Sequence, residues 1–251
     1  MTKITSLIFA AAIFIAISSG CNNGTISTGD GSNKVTGNGK QLSETREITG
    51  FNEISLEGAF NVILKQSEEE SVTVEADENI VPLILTEVEN GTLKVSMKDN
   101  TTFQNMGKLE VTIFLKTITG IKTAGAGSLA SSDTLHVTDL KMDLNGAGAT
   151  DLKIMADKLT VNSQSVGALQ LSGKVKEVAI DQNGVGLIQA FDLKSEKLTL
   201  KASGVGAAEV FASQELSIDA SGIGSVQYKG GATKTEIKND GIGKITCIDC
   251  K

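Results

Sequence analysis

Short runs of alternating apolar and polar residues dominate the second half of the chain. The clearest runs occupy residues 140–144, 159–162, 178–181, 198–202 and 216–220. Period-two alternation places the apolar side chains on one face of a β-strand and the polar ones on the other. A second alternating run follows shortly after most of them, as at residues 168–171, 207–210 and 225–228. The pattern therefore predicts an all-β region built from pairs of short strands.

A glycine phrase separates the two strands of each pair. Two glycines flank one small or apolar residue, with the first glycine at Gly125, Gly146, Gly184, Gly204, Gly222 and Gly241, and Ser165-Val166-Gly167 is a degenerate copy. The first positions are 21, 19, 19, 20, 18 and 19 residues apart. A fixed period of this length is typical of a solenoid, in which no single coil buries its own core. We predict a right-handed parallel β-helix, or a closely related β-solenoid, over residues 119–251.

The residue between the two glycines becomes larger along the chain. The series is Ala126, Ala147, Val166, Val185, Val205, Ile223 and Ile242. We interpret this apolar series as a stacked column that points into the core. The glycines, and the Asn, Ser or Asp that usually precedes them, favour a turn at this point of every coil.

Residues 44–118 follow a different pattern. Two alternating runs, residues 83–89 and 92–97, flank Asn90-Gly91, which is the strongest short signal for a β-hairpin. Residues 54–65 resemble an irregular first coil, with Phe60 where the second glycine is expected. We expect a smaller antiparallel or mixed β region that caps one end of the solenoid. An uncovered strand at the other end would permit self-association, but the sequence does not give the oligomeric state.

The first 20 residues have the pattern of an export signal. Lys3 precedes an apolar run at residues 7–17, and small residues at 18–20 precede Cys21. The run is too short to span a bilayer, so we expect cleavage. Small residues before a cysteine resemble a bacterial lipobox, which implies lipidation of Cys21, although Ser18 stands where an aliphatic residue is usual. An ordinary signal peptide is the alternative, and residues 22–43 are polar enough to predict a flexible tether.

The charge of the chain limits its partners. The 251 residues carry a net charge of −7, and Arg46 is the single arginine. Nucleic acids and anionic membrane surfaces are bound by clustered Lys and Arg, so we expect neither as a direct partner. An apolar fraction of 40% suffices for a packed core.

Several segments together resemble the head GIN-domain family of auto-transporter adhesins. They are Phe51-Asn52-Glu53-Ile54, Gly58-Ala59-Phe60-Asn61-Val62, residues 72–79, Asn90-Gly91-Thr92-Leu93 and the later Gly-x-Gly series. The resemblance covers residues 46 to about 246. It implies a β-helix-like fold in an exported envelope protein, and it supplies no catalytic residues.

Two columns of outward polar residues are the candidates for chemistry. The first contains Asp143, Asn162, Asp181, Lys201, Asp219 and Lys238. Stacking in register would place Asp143 and Asp181 about 9–10 Å apart, near the upper limit for an inverting glycosidase. A solvated face with weak ion pairs is the simpler interpretation. The second column, Asp151, Gln170, Gln189, Glu209 and Gln227, is a candidate surface ladder that serves either stability or recognition.

The sequence predicts no metal and no cofactor. His136 has no Cys or His at metal-site spacing, and Gly-x-Gly here lacks the third glycine and the following helix of a dinucleotide loop. Cys247 and Cys250 remain once Cys21 is assigned to lipid. We expect a disulfide that locks the last coil, with redox activity as the alternative.

Together these observations predict a lipid-anchored outer-membrane protein of the cell envelope. It would act as a non-catalytic adhesion or binding module, held to the membrane by its N-terminal lipid, with a glycan or protein ligand. Two alternatives stay open: a carbohydrate-active β-helix enzyme, and a structural or assembly protein of the periplasm.

Overall fold

The computed structural model describes residues 33–104 and 107–249, and these form β-strands joined by short turns and one 3₁₀ helix. The N-terminal elements are β1 (Asn33–Thr36), β2 (Gln41–Arg46), β3 (Glu53–Gln66), β4 (Ser71–Asp77), η1 (Val81–Leu83), β5 (Ile84–Glu89), β6 (Thr92–Met97), β7 (Thr101–Gln104) and β8 (Glu110–Leu115). The repeat region contains β9 (Gly120–Ser131), β10 (Leu135–His136), β11 (Asp139–Ser163), β12 (Val166–Gln182), β13 (Val185–Ala202), β14 (Val205–Phe211), β15 (Glu215–Ala220), β16 (Ile223–Lys229), β17 (Lys234–Asn239) and β18 (Ile242–Cys247).

The repeat region is a β-solenoid, as predicted. Each coil pairs in parallel with the next, in the order β3, β9, β11, β12 and β13. From β13 onward the ladder divides, with β14, β16 and β18 on one face and β15 and β17 on another. The long strands run around the corners of the coil, so that one strand contributes to two faces.

The N-terminal region is a mixed sheet that continues the solenoid. β3 is the first coil, and its outer edge pairs in parallel with β6 and β8. Beyond them the sheet becomes antiparallel, through β5 on one side and through β4 and β2 on the other. The predicted hairpin is confirmed: β5 and β6 are joined by Asn90 and Gly91 at φ values of 50° and 78°, as a type I′ turn requires.

The predicted tether is wrong in its C-terminal part. β1 pairs in parallel with β7, and β2 begins at Gln41. Val35 is partly buried against the core, which gives this polar segment an apolar attachment. The rest of the predicted tether, together with the export signal and Cys21, lies outside the described residues.

The core is a set of apolar columns that run along the solenoid axis. One column contains Met142, Val161, Ile180, Leu200 and Ile218, all of them almost completely buried. From Val161 to Ile218, successive members lie in paired positions of neighbouring coils. Removing such side chains from water is the main stabilising contribution of the fold.

The residue between the two glycines points outward, so the predicted inward column is wrong. The positions three residues before and three after it are mostly buried, for example Leu144, Leu169 and Ile188. Side chains continue to alternate between inside and outside through the corner. The middle residue is an odd number of positions from the buried residues, so it belongs to the outward set. Its side chain therefore lies on the outer surface of the coil.

Candidate binding surface

A continuous line of exposed aliphatic side chains follows the glycine corners. We call it the outer ridge: Ala126, Ala147, Val166, Val185, Val205, Ile223 and Ile242. Each member is paired in register with the next. The exposed fractions of the five larger side chains are 56% for Val166, 50% for Val185, 45% for Val205, 53% for Ile223 and 74% for Ile242. With paired coils about 4.8 Å apart, these five span about 19 Å.

The glycines on both sides keep the outer ridge prominent. A Cβ added at Gly206 would overlap the carbonyl oxygen of Gly186, and one at Gly186 would overlap that of Gly167. Adjacent coils therefore approach each other too closely for side chains at these positions. The ridge residue is left as the one side chain within each Gly-x-Gly corner, and the degenerate copy keeps Ser165 as well.

Polar groups border the outer ridge on the side from which the chain enters the corner. Two residues before each middle residue stand Asn145, Gln164, Asn183, Ser203 and Ser221. The Nδ2 of Asn183 donates to Oδ1 of Asp181 at 3.0 Å, and the Ser203 hydroxyl donates to Oδ1 of Asn183. This border is thus a row of amides and hydroxyls, with a side-chain hydrogen bond between two neighbouring coils at Asn183 and Ser203.

The predicted surface ladder borders the other side. The structure places Asp151, Gln170, Gln189, Glu209 and Gln227 at paired positions of successive coils, four residues after each ridge residue. Small residues such as Ala149, Ala168 and Ala207 lie between the ladder and the ridge. The result is a surface with an aliphatic ridge between two polar margins. Exposed apolar strips with polar rims are typical of interaction surfaces.

The first polar column also stacks as predicted, and its contacts favour the charged form of Asp143. Asn162 Nδ2 donates to Asp143 Oδ1 at 2.7 Å, and Lys141 Nζ lies 3.2 Å from Asp143 Oδ2. The hydrogen bond from Asn162, and then the contact with Lys141, lower the pKa of Asp143 below its ordinary value. A glycosidase general acid needs a raised pKa. The contacts of Asp143 therefore favour its carboxylate over the protonated form that such an acid requires.

The cavities near these columns are small or open. A cavity of about 60 Å³ lies behind the first corners, lined by Leu56, Phe60 and Leu144 among others. An open polar groove of about 520 Å³ follows Asp143, Asn162 and Asp181 along the coils. Within residues 33–104 and 107–249, no cluster of His, Cys, Asp and Glu could hold a metal ion.

The remaining candidate residues lie away from the outer ridge. His136 is exposed in β10, and its backbone N–H donates to Gln66 Oε1 at 2.8 Å. Cys247 ends β18 and is disulfide-bonded. Cys250 lies outside the described residues, so its predicted pairing with Cys247 stays a prediction. In the described segments, no helix is long and apolar enough to cross a membrane.

The sequence-based prediction places the ridge residues in the core because they are apolar. Their position in the inward-outward alternation predicts the opposite. Counting in twos from buried Leu144 reaches the glycines of the corner and passes over Ala147. The signal for an outward position was therefore present in the alternation itself.

Comparison with known proteins identifies a matching family and a similar solved structure. The family model described as "Putative auto-transporter adhesin, head GIN domain" matches residues 50–232. A crystal structure of a putative adhesin from Bacteroides fragilis NCTC 9343 is 28% identical, with a TM-score of 0.83 over 85% of this chain and 100% of that one. The chain has no significant match among curated proteins.

Two more distant solved structures share the fold. A putative lipid binding protein from Parabacteroides distasonis ATCC 8503 is 22% identical, with a TM-score of 0.65 over 85% of this chain and 99% of that one. A putative adhesin from Parabacteroides merdae ATCC 43184 is 20% identical, with a TM-score of 0.61 over the same shares. The family match covers most of the chain, including six of the seven corners of the outer ridge, and the chain therefore belongs to the head GIN-domain family, described as putative auto-transporter adhesins.

Proposed function

We propose that this protein is an exported, lipid-anchored adhesion module without catalytic activity, and that it binds a protein partner through the outer ridge. The observation that carries the proposal is the row of five half-exposed Val and Ile side chains, stacked in register between two polar margins. Family membership and the adhesin neighbour support a binding role in an extracellular or envelope setting. Lipidation at Cys21 rests on the lipobox-like sequence.

The chemistry of the ridge favours a protein over a glycan. Sugars usually bind against aromatic platforms, whereas the ridge is entirely aliphatic. Lysine side chains cover three of the aromatic rings: Lys194 lies 4.4 Å from the centroid of Phe211, Lys229 4.2 Å from that of Phe191 and Lys65 5.6 Å from that of Phe114. An aliphatic strip with amide margins matches the apolar centre and polar rim of a protein interface.

The test compares cells that display the full wild-type chain with cells that display the triple variant Val166→Ser, Val185→Ser, Val205→Ser. Adherence is measured on a panel of immobilised extracellular-matrix proteins and on a glycan array. We expect wild-type cells to adhere to at least one protein, and the variant to lose at least about tenfold of that adherence, since interface centres carry most of the binding energy.

A matched control is Gln170→Ala with Gln189→Ala, which changes the margin and leaves the ridge intact. We expect it to retain adherence within about threefold, because rim residues contribute little. Undiminished adherence of the triple variant, or adherence to glycans alone, would contradict the proposal.

A further inference from the structure

The far end of the solenoid presents an uncovered strand with an unusual order of charges. The segment from Lys234 to Asp240 reads Lys-Thr-Glu-Ile-Lys-Asn-Asp. Its first six residues form β17, which pairs with β15 on one edge. Among the described residues, no strand pairs with its other edge.

The core column ends at Ile237, which lies on β17. Ile218, its neighbour one coil earlier, is 1% exposed, whereas Ile237 is 41% exposed. The difference arises because no further coil of the described chain covers Ile237. Within the described residues, an apolar core residue thus lies in the middle of a free edge strand, an arrangement that favours strand addition.

Backbone geometry fixes which residues can pair across this free edge. The N–H of Lys234 donates to Gln214 O at 3.0 Å, and that of Asp240 donates to Ala220 O at 2.8 Å. Even-numbered residues therefore direct their hydrogen bonds toward β15. Thr235, Ile237 and Asn239 direct their N–H and C=O groups toward the free edge.

We propose that β17 pairs antiparallel with β17 of a second copy about a two-fold axis through Ile237. This register places Ile237 against Ile237 and Thr235 against Asn239. Backbone hydrogen bonds form at the Ile237–Ile237 pair and at the two Thr235–Asn239 pairs. It also places Glu236 opposite Lys238 and Lys234 opposite Asp240, so that every facing charge is of opposite sign. Opposite charges at facing positions stabilise an antiparallel pair.

The two neighbouring registers place like charges opposite each other. An axis through Glu236 faces Glu236 with Glu236 and Lys234 with Lys238. An axis through Lys238 faces Lys238 with Lys238 and Glu236 with Asp240. Like charges at facing positions destabilise strand pairing, so charge favours the axis through Ile237 over the axes through Glu236 and Lys238.

The proposed pairing also continues the alternation of charge along the coils. Lys197 Nζ lies 3.9 Å from carboxylate oxygens of both Glu177 and Glu215, and Lys234 Nζ lies 3.5 Å from Glu215. Acidic and basic residues alternate along this column, so an acidic residue at the next position beyond Lys234 would continue the pattern. Asp240 of the second copy takes that position. Within one copy Asp240 also contacts Lys238 at 2.6 Å, and both side chains are well exposed.

The orientation of the dimer follows from the fold. The opposite end of the solenoid is occupied by the antiparallel strands that follow β3, so the two copies meet at their β17 ends. Their N-terminal regions then lie at opposite poles, as copies anchored in two facing membranes would require. This last consequence rests on the proposed function, whereas the pairing itself does not.

The experiment uses two charge reversals and their mixture. The purified protein is examined by sedimentation velocity and light scattering from about 10 μM to 1 mM, the range of weak interfaces. We expect a wild-type dimer whose dissociation constant rises at least about tenfold in E236K and in K238E, because each variant faces like charges with like. A 1:1 mixture of the two variants restores complementary pairs, and we expect it to dimerise about as tightly as wild type.

Thermal unfolding of each variant separates a lost interface from a lost fold. A third variant, Glu209→Lys, makes the same charge change on the polar ladder, and we expect it to leave dimerisation unchanged. A protein that stays monomeric throughout this range, or a mixture of E236K and K238E that stays monomeric, would overturn the proposal. So would a dimer that is indifferent to both reversals. None of these measurements depends on adhesion, so their failure is distinguishable from failure of the proposed function.

Discussion

At the scale of single residues, the glycine corners set how closely the coils approach. Gly206 has a φ of 149°, where residues with a side chain are strained, and its added Cβ would overlap the carbonyl oxygen of Gly186. The obstacle is backbone, which cannot rotate away as the end of a side chain could. Each corner therefore needs glycine for two reasons at once, namely conformation and space.

We predict that Gly206→Ala lowers the free energy of unfolding by more than about 3 kcal/mol, because backbone strain and a backbone clash add. The control is Gly231→Ala. Gly231 has a φ of 71°, and a Cβ there would meet nothing within 4 Å. Strain alone is then expected to cost about 1–2 kcal/mol.

Urea denaturation of both variants measures the difference. Equal losses for Gly206→Ala and Gly231→Ala would show that the close approach of the coils is not what requires glycine at the corner.

The residues of the outer ridge also show where sequence reasoning reached its limit. Val185 and Val205 are as apolar as the core residues Val161 and Val178, and composition alone does not separate the two groups. Only position relative to the buried Leu and Ile of the same coil separates them. The position of a residue in the inward-outward alternation therefore decides whether it is buried, and its apolar character alone does not.

At the scale of elements, the single arginine joins the edge strand β2 to the 3₁₀ helix η1. Arg46 Nη1 donates to Ile84 O at 2.7 Å, and Nη2 donates to Val81 O at 3.0 Å. Its Nε donates to Glu44 Oε1 at 2.6 Å, and the side chain is only 18% exposed. The planar guanidinium satisfies several acceptors that a single ammonium group cannot reach together.

We predict that Arg46→Lys lowers the free energy of unfolding by about 1.5–3 kcal/mol, since hydrogen bonds from a charged donor to backbone carbonyls are lost. Glu44→Ala is the matched control. It removes the ion pair and leaves the carbonyl contacts intact, so we expect a loss below about 1 kcal/mol. Chemical denaturation checks both values. A fully stable Arg46→Lys protein would contradict this role for the guanidinium.

One hydrogen bond between two coils, from Asn162 to Asp143, contributes to the pH dependence of stability. Asn162, and then Lys141, lower the pKa of Asp143 below its ordinary value in the folded protein. A depressed carboxyl pKa contributes stability above the unfolded-state pKa, and this contribution is lost as the pH falls through the folded-state pKa. The contribution of Asp143 is therefore complete at neutral pH and disappears in acid.

We predict that Asp143→Asn is less stable than wild type at pH 7, and that the gap closes as the pH falls below about 4. Urea unfolding at a series of pH values measures the gap. In an Asn162→Ala background we expect the pH dependence to shrink, because the main cause of the low pKa is gone. A stability gap that widens in acid would contradict a lowered pKa of Asp143 in the folded protein.

Elements with strong local signals were predictable, and those that depend on a distant partner were not. Asn90-Gly91 between two alternating runs specified the hairpin of β5 and β6. β1 gives no such local signal, because its four residues become a strand by pairing with β7, more than sixty residues later in the chain. Edge pairing of this kind depends on tertiary context.

At the scale of the whole molecule, the repeat period specified the solenoid. A fixed spacing of glycines requires coils of one length, and coils of one length stack their equivalent side chains into columns. The core columns, the outer ridge and both polar columns are consequences of this one constraint. The candidate binding surface depends on it as well, because a single Val on one coil becomes a strip only by repetition.

The measurement that tests the account most directly is protease shaving of intact cells, followed by blotting for the solenoid. Added protease reaches a domain displayed outside the cell but not one enclosed behind the outer membrane. An adhesion module predicts loss of the solenoid from intact cells while a periplasmic marker protein survives. Full protection in intact cells, with digestion only after the outer membrane is breached, would contradict the adhesion account and point to a role in the periplasm.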